Sequence, residues 1–390
     1  MAGRWITKQR CREMNRVRRV RKTGSVSLRQ FWRGEGAFGS FLITGGTEAS
    51  RSDAAAGRLL YEMESGSMPA LVLTESPAME QTMIAGMSGR TGLLQVTSPS
   101  YRNYHFFYGW SGGEVTRFFV QAAELLGCAS TELPIYIHAF VDILSRSFPP
   151  SLAALNALAA YSDAQVAQIG RQRGASAVSV DQVAHYAQAG VLFRLVLEQT
   201  AAVLLPLSTP DCETQYNLSA VHPRTDGVYL VNLRSQYPAL MHAYFAIEVQ
   251  RALARACPPR VVLSEVALDA QDPLGQVFRG ALQGNAPAGA SLRSGALTLG
   301  EAEQVFQTRL VLLDGGHTDG ELEAALRCMG TYTHYEAVPG AGGGFLFGAK
   351  TDWTIHPEPG RLRVRPSDTA GCAAVLCGGA GEILLARSLR

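Results

Sequence analysis

Short apolar runs alternate with helical spacing along most of this chain, and that alternation constrains its fold more than any single residue does. Ala70-Leu-Val-Leu-Thr74, between Pro69 and a Glu75-Ser-Pro77 turn, has the form of a strand buried on both faces. Comparable runs are Phe38–Thr44, Gly92–Thr97, Gly227–Leu233, Arg260–Glu265 and Thr308–Leu313. Helical patterns fall between them: one starting near Ser52 or Asp53, then Glu114–Leu126, Pro238–Ala256, Pro273–Gln283, Leu299–Gln307 and Asp319–Met329. In Glu114–Leu126, residues Val115, Phe118, Phe119, Ala122, Leu125 and Leu126 follow the i, i+3, i+4 rule, so its aromatics are expected in a core. The pattern predicts an α/β fold with a mainly parallel sheet flanked by helices.

Residues 135–205 show no strand pattern and read as helices, broken at Pro149-Pro150 and restarted by a cap at Ser151. An all-α insertion at 135–210 is therefore expected to split the α/β domain into parts at 35–134 and 211–390. The last stretch, from Thr331, reads as short strands joined by Gly and Pro turns, including Gly340-Ala-Gly-Gly-Gly344.

The net charge of +2 hides a division. Residues 1–34 hold eleven Lys or Arg and one acid, Glu13, for +10, while the remainder carries 24 basic and 32 acidic residues, for −8. Such a basic arm, open to disorder, suits nucleic acid, an acidic protein surface or anionic lipid, and equally a solubilising leader. Arg16, Arg18, Arg19, Arg21 and Lys22 are its candidate nucleic-acid contacts. The seven cysteines contain no C-x-x-C pair and are odd in number, which argues against a disulfide framework and a zinc site and favours a reducing cytosol. Ala187–Leu207 is the most apolar segment, but Arg194, Glu198 and Pro206 interrupt it, so no membrane span is expected.

Leu42–Asp53 reads as a strand, a tight loop and a helix start, with Gly45, Gly46, Thr47, Glu48, Ala49, Ser50, Arg51 and Ser52 in the eight places of a phosphate-binding loop. The first glycine and last hydroxyl are present; Ser50 replaces the second glycine and Arg51 the lysine. Arg51 keeps the charge but offers a planar fork in place of a compact ammonium. Ser50 adds a Cβ where backbone must approach a ligand. Carboxylates at Glu48 and Asp53 would oppose a polyanion by about 1 kcal/mol or more each. The second nucleotide motif requires an apolar strand ending in Asp for magnesium and then Glu for water. Arg260-Val-Val-Leu-Ser-Glu265 keeps Glu265 and has Ser264 in place of the Asp. Weak ATP or anion binding at the helix start, and a turn kept only for folding, are the alternatives to hydrolysis; no other cofactor is expected.

Other constellations carry less. The eight histidines are scattered singly, none at ligand spacing from another, so no metal site is expected. Gly109-Trp-Ser-Gly-Gly113 has the G-x-S-x-G form of a nucleophile elbow at Ser111, without a strand ahead of it. Tyr101, Tyr104, Phe106, Phe107, Tyr108 and Trp110 form an aromatic loop suited either to burial or to a contact with nucleic acid or protein. Gly45–Arg51 lacks the G-x-G-x-x-G of a dinucleotide-type reductase, and the second strand ends in Thr74 where an acidic residue would be needed.

On these residues and their order, the chain resembles the ATPase domain of the coupling proteins of conjugative type IV secretion, the TraG/TraD kind, within the FtsK/HerA group of RecA-like motors. The resemblance spans about residues 36–390. Thr74-Glu-Ser-Pro-Ala-Met-Glu80 stands where that family has an acidic turn, and an all-helical domain interrupts its sheet as 135–205 does here. Leu312–Gly330 resembles its Gly/Asp turn and helix, ending in Met-Gly where the family has Leu-Gly; Arg365-Pro-Ser-Asp368, Ala374–Cys377 and Ile383–Ala386 resemble its closing part. What the resemblance implies is a RecA-like P-loop NTPase fold, secretion or conjugation proteins as partners, DNA as a further one, and a hexamer. With both nucleotide motifs degraded, the expectation is a catalytically inactive, ATPase-like adaptor. Gly45, Gly46, Thr47, Arg51 and Ser52 would be its nucleotide residues and Glu265 its remaining catalytic carboxylate. It would be cytoplasmic, docked at the membrane's inner face through partners, with its homo-oligomeric state open. The alternatives are a divergent but active DNA-translocating ATPase using Arg51, Ser52 and Glu265, and a DNA-binding accessory protein acting through the arm.

Overall fold

The computed structural model describes residues 2–15, 20–35, 39–65, 69–87, 94–208, 227–267, 271–284, 286, 288–293, 306–315, 318–339, 353–378 and 381–390. In chain order the strands among them are β1 (Val20–Val26), β2 (Phe41–Gly45), β3 (Ala70–Thr74), β4 (Leu94–Thr97), β5 (Val228–Asn232), β6 (Arg260–Ser264), β7 (Ala288–Ser291), β8 (Thr308–Leu312), β9 (Thr331–Pro339), β10 (Trp353–Leu362), β11 (Ala374–Cys377) and β12 (Ile383–Leu389). The chain divides into two compact units, Met1–Tyr61 with Gly289–Arg390, and Glu62–Ala288. The predicted helix at Leu299–Gln307 falls almost entirely outside the described residues, as do Gly340–Gly344 and the start of the Gly92–Thr97 run.

In the Glu62–Ala288 unit the strand order is β6-β3-β5-β4, and every neighbouring pair is parallel. Every residue of β3 and of β6 is buried, which is why both read as continuous apolar runs without alternation. At the start of β6, Arg260 is fully buried in an ion pair with Glu62 at 2.9 Å. The turn after β3 becomes a helix, Pro77–Gly86, because the Ser76 hydroxyl accepts the Met79 N–H and Pro77 needs no donor at the first helical position.

Leu133–Leu207 is helical: Leu133–Ser147, Leu152–Ala159, Asp163–Gln172, Ala177–His185 and Ala187–Leu204, then a short 3₁₀ turn. Ser151 caps the second of these, as predicted, and Ser162 with Gln165 forms a capping box on the third. Ala187–Leu207 has the length and apolarity of a membrane span, with half of it buried. Here its helix packs on its neighbours through Phe193, which meets Phe119 and Phe140. Arg194, the charge that interrupts this apolar run, donates to the carbonyls of Ala159 and Tyr161 and to Asp163 at 2.7–3.0 Å.

The aromatic loop resolves mainly into core. Tyr104, Phe106, Phe107 and Trp110 are buried, while Tyr101 and Tyr108 remain exposed. Its anchor is Glu248 on helix Pro238–Leu253, a fully buried carboxylate that accepts from Tyr104 Oη at 2.7 Å and from Trp110 Nε1. Burying such a charge is tolerable because donors surround it.

In the other unit the order is β7-β2-β8-β11-β12-β1. β2 lies parallel to both β7 and β8, β11 is antiparallel to β8 and β12, and β1 pairs in parallel with β12. Where composition suggests a loose basic arm, the chain instead forms a helix, Ala2–Met14, and then β1. The helix lies against the β9–β10 hairpin with Cys11 buried, and Asn15 both donates to and accepts from the Tyr335 backbone at 3.0 Å.

Candidate functional site

The loop after β2 is shaped by its own side chains. Gly45 and Gly46 both adopt left-handed backbone, at φ +74° and +58°. A Cβ on Gly45 would run into the Leu312 carbonyl, and one on Gly46 into the carboxylate of Asp314. Both glycines are thus required by turn geometry and by the close approach of the end of β8. The following helix, Glu48–Glu64, starts ahead of the expected Ser52 or Asp53. The cause is a reciprocal cap: Thr47 Oγ1 accepts the Ser50 N–H at 3.2 Å and Ser50 Oγ accepts the Thr47 N–H at 3.0 Å.

Arg51 and Ser52 therefore lie inside the first helical turns, and both are buried. The Arg51 guanidinium folds back, and Nη1 donates to the carbonyls of Gly45 and Gly46, each at 2.8 Å. Its own carbonyl accepts from Ser291 Oγ at 3.3 Å. Asp314, just beyond β8, brings Oδ1 to 3.2 Å from Ser50 Oγ. Of the predicted nucleotide residues, Gly45, Gly46 and Thr47 form the turn, while Arg51 and Ser52 lie in the helix that follows it. The fold adds an acidic residue from far along the chain, and Glu48 and Asp53 stay exposed on the outer side of the helix.

In the other unit, β6 ends at Ser264, where the second motif would carry its metal-binding Asp. The Ser264 hydroxyl is buried and has no hydrogen-bond partner among the described residues; its carbonyl accepts the Glu75 N–H at 3.3 Å. Glu265 is half-buried with left-handed backbone, φ +56°, a conformation uncommon outside glycine. Beyond the end of β3, the buried His242 ring sits between two carboxylates, with Nδ1 2.6 Å from Asp272 and Nε2 3.2 Å from Glu75. Glu75 also accepts the Ala267 N–H, and Asp272 caps helix Pro273–Gln283 through the Gly275 N–H. Burial works to lower the His242 pKa, but the hydrogen bonds and charges of Asp272 and Glu75 outweigh it and raise the value to about 9. His242 is therefore an imidazolium at neutral pH that ties the end of β3 to the connection after β6.

The remaining candidates are structural or lie elsewhere. Ser111 caps helix Gly112–Leu125 in a box with Glu114, which Arg251 also engages at 2.5 Å, so its hydroxyl serves the helix start. Arg21 and Lys22 are exposed on β1; Arg16, Arg18 and Arg19 lie outside the described residues. Among the described residues no cluster of His, Cys, Asp or Glu could hold a metal. Two features escape sequence reading: Asp314 is separated from Ser50 by 264 residues, and nothing in the local pattern around His242 marks its two carboxylate partners.

A glycine turn leads here from a buried parallel strand into a helix, within a mainly parallel, helix-flanked sheet, the architecture of an α/β fold of the P-loop kind. No protein-family model and no curated protein matches the chain by sequence. Solved structures are similar to it in fold. The unbound monoclinic form of the bacterial conjugative coupling protein TrwBdeltaN70 is similar over 92% of this chain and 90% of its own, with a TM-score of 0.53 and 13% identity. Its trigonal form in complex with sulphate matches over 96% and 90%, with a TM-score of 0.53 and 14% identity. The plasmid coupling protein TrwB in complex with the ATP analogue ADPNP matches over 95% and 90%, with a TM-score of 0.51 and 15% identity. At these identities the likeness is one of fold.

Proposed function

We propose that this chain is a non-hydrolysing, RecA-like adaptor or structural subunit of a conjugative DNA-transfer or type IV secretion machine. The placement in such a machine rests on the likeness of fold to TrwB. What carries the loss of catalysis is Arg51: the charge that should meet phosphate is buried against the loop's own carbonyls. Ser264, with no carboxylate for magnesium, removes a second requirement of phosphoryl transfer. The partners are then secretion or conjugation proteins, met in the cytoplasm at the inner face of the membrane. Purified protein should release no phosphate from ATP, with or without magnesium and DNA. Phosphate release abolished by Glu265→Gln would overturn the reading.

One observation favours a divergent but active motor: the left-handed backbone at Glu265, since such strain gathers at working sites. That reading predicts magnesium-dependent nucleotide binding by calorimetry, and its absence rejects it. DNA binding through the arm is supported by the exposed Arg21 and Lys22 on β1. It predicts salt-dependent affinity that drops on Arg21→Ala with Lys22→Ala; unchanged affinity rejects it.

A further inference from the structure

The loop after β2 already has an anion beside it. We infer that Asp314 is the residue that excludes phosphate from this loop, its carboxylate standing where a ligand's charge would sit. The inference rests on the non-hydrolysing reading of the same loop and names the group that enforces it.

Three observations converge on Asp314. Its Oδ1 lies 3.2 Å from Ser50 Oγ, at the third helical position, where N–H groups of a helix start attract negative charge. The same oxygen lies so close to Gly46 that a Cβ there would collide with it, so it stands over the glycine turn itself. Ser50 and Thr47 close the remaining opening by capping one another, and Ser50 Oγ is also 2.9 Å from the Thr47 carbonyl. An incoming phosphate would have to displace a carboxylate and break that cap. If it bound alongside, it would meet like charge within a few ångströms, a repulsion large enough to suppress affinity by about tenfold or more. Arg51 cannot compensate from where it lies, because its Nη1 is directed at the carbonyls of Gly45 and Gly46.

The test compares wild type with Asp314→Asn, which keeps shape and removes charge, using pyrophosphate and ATP in calorimetry without magnesium. Asp314→Ala serves as a second variant, and each protein's fold is checked by circular dichroism and melting. The expected result is at least about tenfold tighter pyrophosphate binding by the variants than by wild type, the size set by the removed repulsion. Variants that fold and bind no tighter than wild type would overturn the inference and leave the adaptor reading intact. Phosphate release from ATP by wild type would overturn the adaptor reading whatever the variants bind, so the two failures are read separately.

Discussion

At the scale of single residues, the loop is held by a few hydrogen bonds whose loss is measurable. Arg51→Ala should lower stability by about 2–3 kcal/mol, since it strips a buried charge-assisted contact from two carbonyls. Gly46→Ala should cost more than about 1 kcal/mol, because φ is positive and Asp314 occupies the space. Urea denaturation monitored by circular dichroism reads both. The tight turn at Gly45-Gly46 is legible in the sequence; the Thr47–Ser50 cap is not, because Ser50 reads there as a substitute for a loop glycine. The direction of Arg51 is not legible either, because a guanidinium beside a helix start can face either a ligand or the turn behind it. Asp314 was illegible for a different reason, since only the pairing of β2 with β8 brings it beside Ser50.

At the scale of elements, the ionic link through His242 joins the end of β3 and the first turns of helix Pro238–Leu253 to the start of helix Pro273–Gln283. The folded pKa, about 9, lies above the unfolded one near 6.5, so the stabilisation is fully present below pH 6.5 and is lost as pH rises through 9. Stability should fall across that window by at most about 1.4 kcal/mol per pH unit. His242→Gln should flatten the decline, as measured by melting temperature against pH. Ser111→Ala should lower stability by about 1 kcal/mol without altering any activity, as loss of a cap would. Leu152–Ala159 is readable from its cap at Ser151 and Gly112–Leu125 from its apolar stripe, while Ser111 reads in sequence as a nucleophile-elbow candidate and not as the cap it forms. Helix Glu48–Glu64 starts earlier than the sequence predicts because the cap at Thr47 sits within the glycine turn, where a ligand loop competes as an explanation.

At the scale of the whole molecule, deleting residues 1–34 should not behave as removal of a tail. It takes away β1, exposing the edge of β12, and uncovers the face of the β9–β10 hairpin on which Ala2–Met14 rests. The shortened protein should melt lower and self-associate, as light scattering would show; unchanged melting would mean that β1 adds nothing. The strand was hidden in the sequence because Val-Arg-Lys-Thr-Gly-Ser-Val is an edge strand with polar, mostly exposed positions and no apolar alternation to reveal it. The parallel core was legible because strands buried on both faces leave uninterrupted apolar runs. The pairing of β1 with β12 also sets an order of manufacture. Glu62–Ala288 is one continuous stretch and can complete its contacts while the ribosome is still translating. Residues 20–26, made far earlier, must wait for 383–389 before β1 can pair with β12, so the continuous Glu62–Ala288 stretch can close before this pairing forms.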